Sequence, residues 1–195
     1  MANCEKVPKK AVTTYAPFLG EKIGDVKMSA AIKELYIEVG MHVTAKFVSV
    51  QIIKHGLTTK AVNNIKEALN CLATIVEEYG AGKVELKYTI DFAIFGCAHA
   101  NKNVRDAAMN LICAIYKHLG PAMEKFIEDI KPSTKAIIDA EFEKVTPYKK
   151  GEYKSNRVPN TDDGIGGDGG GGGGGDDEDP LKALNAALPR EDISK

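Results

Sequence analysis

Residues 27–40, 67–80 and 107–120 read KMSAAIKELYIEVG, EALNCLATIVEEYG and AAMNLICAIYKHLG, and each run closes on a glycine, Gly40, Gly80 or Gly120, 40 residues from the next. Laid over one another without a gap, the runs put Ala31, Cys71 and Leu111 in one column and Ile32, Leu72 and Ile112 in the next. Leu35, Ile75 and Ile115 form another, then Tyr36, Val76 and Tyr116, then Val39, Tyr79 and Leu119. Apolar residues at i, i+1, i+4, i+5 and i+8 make one face of a helix, so all five columns are expected in the core. A helical face that returns at a fixed period near 40 predicts an all-α solenoid of HEAT-like or armadillo-like helix pairs, each burying its face on the next.

The period extends outward from these runs. The second pair is expected from about Val43 to His55, with a turn at Gly56 to Thr59 and a second helix from Lys60 to Tyr79. The third is expected from about Val84 to Cys97, with a turn through Ala98 to Asn101 and a second helix from Lys102 to Leu119. The first opens with VTTYAPFLGEKIG (residues 12–24), in which Pro17 fits only a first turn or a kink, followed by a turn where Asp25 or Ser29 caps the next helix. After Gly120, Pro121 fits the first turn of a short helix over AMEKFIEDI. Pro132 then breaks the chain before STKAIIDAEFEKV, whose N-cap is Ser133, and this charged last pair reads as a terminal cap. About four pairs result, divided as 11–40, 41–80, 81–120 and 121–147, behind a disordered N-terminus at 1–10.

Order is expected to end near Pro147. Residues 161–180, TDDGIGGDGGGGGGGDDEDP, hold almost nothing to bury, so 148–180 reads as a disordered Gly/Asp linker. It is no phosphate loop, because no GK[ST] follows it and no strand precedes it. The final segment, 181–195, regains some apolar character. Residues 1–150 carry 21 Lys and Arg against 17 Asp and Glu, whereas 151–195 carry 5 against 10. A surplus of four positive charges, widely scattered, excludes a nucleic-acid footprint and leaves an acidic protein surface open as a partner.

Neither a secretory h-region nor an apolar run of membrane-spanning length is present, which predicts a cytoplasmic protein. Cys71, Cys97 and Cys113 lie inside apolar helical runs and, like Cys4, stand outside any CxxC pair; reduced, buried thiols are expected. His42, His55, His99 and His118 are scattered, and Cys97 with His99 does not match a structural zinc spacing. No catalytic, metal or cofactor constellation is therefore assigned. Glu34 and Glu38, like Glu124 and Glu128, read as solvated outer stripes.

In a solenoid the turns inside successive pairs line one edge, so a ligand laid along it meets residues from each repeat. The candidates are Lys27 in the first turn, Thr58, Thr59 and Lys60 in the second, and Asn101, Lys102, Asn103 and Arg105 in the third. Together they make a small basic, hydrogen-bonding edge. Taken singly, Asn101 or Asn103 also reads as a helix cap and Arg105 as the partner of a neighbouring acid.

The segment from Ala100, ANKNVRDAAMNLICAIYKHLGPAMEKFIEDIKPSTKAIIDAEFEKV, resembles the end of a TOG domain, the module of the microtubule-polymerase arrays, and specifically a third such domain. GEKIGDVKMSAAIKELYIEVG resembles an earlier repeat of the same domain, and LPREDIS after an acidic glycine-rich spacer is similar to the stretch that follows it in the family. The resemblance implies a flat HEAT-repeat paddle whose intra-repeat turns bind the tubulin dimer. Lys27, Thr59, Lys60, Asn101, Lys102 and Arg105 would be the contacts, in a non-enzymatic, monomeric regulator of microtubule growth. It further implies a place on cytoplasmic microtubules, spindle poles or centrosomes, and kinetochores. The pattern departs from the family in two ways: the matched turns are those of the third, fourth and fifth repeats, and the chain has no tryptophan. A HEAT scaffold that docks a helix or peptide, without tubulin, is the alternative reading.

Overall fold

The computed structural model describes residues 7–128 and 130–157. Among these residues the secondary structure is all helical. The α-helices are α1 (Lys9–Lys22), α2 (Ser29–His42), α3 (Ala45–Thr58), α4 (Val62–Tyr79), α5 (Leu86–Cys97), α6 (Lys102–Leu119) and α7 (Pro132–Phe142). The first helices α1, α3 and α5 stack on one another, and the second helices α2, α4 and α6 form a layer beside them. The packing of α4 on α6 is extensive, that of α2 on α4 much lighter, and α7 leans on α6.

Two of the helices, α3 and α6, also owe their starts to local chemistry. The Thr44 side chain accepts from the Phe47 amide at 3.0 Å and caps α3, and Asn101 does the same for α6 through the Asn103 amide at 2.9 Å. Such caps satisfy amides that the first helical turn leaves without partners. Ile32, Tyr36, Leu69, Leu72, Ile75, Val76, Leu111, Ile112 and Ile115 are all at most 5 % exposed. Each buried aliphatic side chain among them stabilises the array by about 1.5–3 kcal/mol.

Two columns fail in the first pair. Leu35 is 41 % exposed, where Ile75 and Ile115 are buried, and Ala31 is exposed where Cys71 and Leu111 are buried. This face of a second helix meets the second helix of the preceding pair, as Tyr79 meets α2. Among the described residues no pair lies over α2. Tyr15 and Phe18, 63 % and 64 % exposed on α1, belong to the same unstacked end.

The recurring glycines divide into two kinds. Gly80 and Gly120 take positive φ, +92° and +55°, and terminate α4 and α6, a conformation in which a side chain is strained. Gly40 does not end its helix, because α2 continues to His42; it is small so that the Tyr79 ring can approach, and a Cβ there would stand 2.9 Å from the phenol oxygen. Gly56 likewise lies inside α3, not in the turn expected from Gly56 to Thr59, with the Phe92 ring against it.

Several local expectations are corrected. Pro17 sits in the interior of α1, which excludes the first turn of the two places expected for it. Neither Asp25 nor Ser29 caps α2: Asp25 accepts from the Lys27 amide at 2.8 Å within the turn, and the Ser29 hydroxyl donates to Glu67 at 3.2 Å. The segment after Gly120 is a 3-10 helix, Gly120–Phe126. Pro132 begins α7 where a break was expected, and Ser133 falls inside its first turn. Beyond Pro147 the chain does not lose order at once. Residues 148–157 return along the second-helix layer, bonded to the ends of α6 and α4, and Glu34 and Glu38 pair with Arg157 instead of facing water alone. The Gly/Asp stretch, residues 181–195 and most of the N-terminus expected to be disordered lie outside the described residues.

Candidate turn-edge binding site

Stacking first helices on first helices brings the turns between α1 and α2, α3 and α4, and α5 and α6 to one edge. The first two are pressed together. The Asn64 side-chain amide, at the start of α4, donates to the Gly20 and Glu21 carbonyls at the end of α1, each at 3.1 Å. A Cβ at Gly24 would overlap Asn64, with 2.2 Å to its side-chain oxygen and 2.8 Å to its amide nitrogen. Asn64 therefore fixes the first turn against the second. Its polar side chain at a helix start carries no periodic signal, and the sequence reading passed over it.

Lys27 and Lys60 are exposed, and neither ammonium group makes an ion pair or hydrogen bond among the described residues. Thr59 accepts from the Ala61 amide at 3.2 Å and shapes the second turn. The Thr58 hydroxyl is already used, donating to the Lys54 carbonyl at 3.0 Å. In the third turn Asn101 is occupied as the α6 cap. Arg105 donates to the His99 and Ala100 carbonyls of its own turn, at 2.9 and 2.6 Å, where a neighbouring acid was the simpler expectation. These bonds hold its guanidinium at the edge. Lys102 stands 4.0 Å from Asp106 on the same helix and is 80 % exposed, a pairing of little energetic weight.

Behind the edge a half-buried ionic cluster ties the first pair to the second. Glu67 of α4 accepts from Lys33 of α2 at 2.8 Å and pairs with Lys66 at 2.9 Å. Burial works to raise its pKa, yet the hydrogen bonds and charges of Lys33 and Lys66 outweigh it and hold the carboxyl down at about 2. His55, beside Gly20 under the same edge, is pushed below its ordinary value by burial and then by Lys54, so it is neutral at physiological pH. The arrangement offers positive charge and donors along an edge. The described residues bring no three potential metal ligands together.

A stack of antiparallel helix pairs with its turns gathered on one basic edge is a HEAT-type binding module. The family model of the XMAP215/Dis1/CLASP TOG domain matches residues 5–142, and the chain belongs to that family. It is 26 % identical over 194 residues to Protein MOR1 of Oryza sativa subsp. japonica, spanning 99 % of this chain and 9 % of that protein. The fold is similar to that of the third TOG domain of Drosophila melanogaster Mini spindles. That likeness has a TM-score of 0.70 and 22 % identity, and covers 77 % of this chain and 65 % of that one. A chain from a structural study of tubulin recruitment and assembly by microtubule polymerases with TOG-domain arrays matches with a TM-score of 0.63 and 23 % identity. There 77 % of this chain and 32 % of that one are covered.

Proposed function

We propose that this chain is a tubulin-binding segment of a TOG-array regulator of microtubule growth and spindle organisation, and that it acts by binding, without catalysis. Lys27, Thr59, Lys60, Asn101, Lys102 and Arg105 are the contacts to the tubulin dimer. In this reading the lysines and Arg105 meet an acidic surface, Thr59 and Asn101 shape the turns that present them, and the protein works on cytoplasmic microtubules, including spindle poles and kinetochores. The observation that carries it is the exposure of unpaired Lys27 and Lys60 on the turn edge of a TOG-family fold. Cations of this kind steer association and set its salt dependence.

Fluorescence or sedimentation binding to purified tubulin tests the reading. Affinity is expected to fall as salt rises, and to fall by at least about tenfold when Lys27, Lys60, Lys102 and Arg105 are all replaced by Glu. Affinity unchanged by that variant rejects the edge as the contact surface. No binding by the natural chain at any salt concentration rejects the function.

A further inference from the structure

We propose that residues Thr146–Arg157 form a latch that carries the chain back across the array and releases the downstream segment beside α2, on the edge opposite the turns, with Arg157 closing it. After α7 the chain reverses. Pro147 packs against Gly120, and the Tyr148 amide donates to the Lys117 carbonyl at 2.7 Å, at the end of α6. Tyr148 and Tyr153 enclose His118 edge-on, with ring centroids 5.1 and 4.3 Å away. Farther along, the Tyr153 hydroxyl donates to the Glu77 carbonyl at 2.9 Å. The Ser155 hydroxyl and the amides of Asn156 and Arg157 all donate to the Glu78 carbonyl, at 2.9, 3.0 and 3.2 Å. The Arg157 guanidinium then spans Glu78 of α4 at 3.4 Å, Glu34 of α2 at 3.4 Å, and Glu38 of α2. The strap's contacts thus run from α6 to α4 to α2, against the order of the array.

The chemistry explains why a strap seats there. The last turn of α4 contains Glu77 and Glu78 with no basic residue, so two carboxylates add to the negative end of the helix dipole and to its unpaired carbonyls. The strap supplies backbone and hydroxyl donors and a cation to that end, a C-cap delivered from across the sequence. Arginine suits the task because its planar fork donates in several directions at once, where a lysine presents a single point charge. Each ion pair is partly solvated and weak alone. They close on a strap that the aromatic contacts and backbone bonds already hold, and they bridge α2 to α4, the lightly packed junction of the layer.

The consequence is topological. Without the strap Arg157 would stand by the last pair; with it, Arg157 lies beside α2 of the first. The strap itself lies at the ends of α6 and α4 and along α2, away from the turn edge. This inference does not depend on what the turn edge binds.

Spin-label distances in the full chain test it, with Cys4 and Cys113 replaced by Ser and label pairs at His42 with Asn160 and at Lys135 with Asn160. A latched chain gives a narrow 42–160 distribution, shorter than that for 135–160. Arg157→Glu should broaden and lengthen the 42–160 distances and speed exchange of the Asn156 and Arg157-position amides by roughly tenfold, with helical circular dichroism retained. The pair exchange Arg157→Glu with Glu38→Arg should restore the narrow distribution. Should Arg157→Glu fold poorly, Glu34→Gln with Glu38→Gln removes the carboxylates without adding repulsion and should broaden the same distances. A 135–160 distance shorter than 42–160, or a 42–160 distribution that none of these variants alters, overturns the latch.

Discussion

The Tyr79 hydroxyl of α4 donates to the Ile37 carbonyl of α2 at 2.6 Å, and the ring reaches it only because residue 40 has no side chain. Burial first, then Glu38 and Glu78, push this phenol's pKa up to about 12 against the opposing pull of Arg157, so it stays a neutral donor across the working pH range. The bond is one of few fixed points between α2 and α4.

Gly40→Ala should therefore destabilise the array by about 1–3 kcal/mol through forced displacement of the ring. Tyr79→Phe should cost about 0.5–1.5 kcal/mol for the lost hydrogen bond. Urea midpoints of both single variants and the double variant would reveal the coupling, because residues in contact are not additive. Additive losses would show that the two positions act separately.

Truncating the aligned column separates stacked repeats from the free end. Ile75→Ala and Ile115→Ala, at fully buried positions, should each lower stability by about 2–5 kcal/mol. Leu35→Ala, on the uncovered side of α2, should change it by less than about 1 kcal/mol. Equal losses at all three sites in chemical denaturation would contradict the exposure of Leu35.

Acid should loosen the junction of the first two pairs. The Glu67 carboxyl is held below its unfolded value, down to about 2, so the unfolded chain takes up a proton there first. The stabilisation is complete above the ordinary carboxylate pKa and is lost as pH falls from about 4.5 toward 2. Glu67→Gln should cost about 1–2 kcal/mol at neutral pH and flatten this part of the stability profile. An unchanged slope between the two proteins would assign the acid sensitivity elsewhere.

Thiol chemistry reports on the core. Burial pushes the Cys71 and Cys97 thiols up to about 12, and a protonated, enclosed thiol is a poor nucleophile. In a Cys4→Ser background, Ellman's reagent at pH 7 should reach both only as fast as the protein opens, with the half-buried Cys113 reacting sooner. Labelling of Cys71 at the rate of a free thiol in the native protein would refute its burial.

Much of the architecture was legible in the chain because it rests on local and periodic chemistry. The 3.6-residue stripe in EALNCLATIVEEYG and AAMNLICAIYKHLG, closed by a glycine that must take positive φ, specifies α4 and α6 wherever they fold. The same pattern misread Leu35, since a stripe marks which face seeks cover and not whether a neighbour supplies it. Of the edge residues, Lys27 and Lys60 could be nominated from the turns. Asn64, which clamps those turns, could not, because an asparagine shows its partner only when a distant carbonyl arrives.

By itself, then, the sequence determined the solenoid: helices, period, turn order and the residues the turns present, all of which follow from interactions within a repeat or between adjacent ones. Tertiary structure alone decided the return of residues 148–157. A polar strap carries no periodicity, and its order arises from donors meeting the bare carbonyls and carboxylates of Glu78, Glu38 and Glu34, groups distant in the chain that become neighbours only once the helices have stacked.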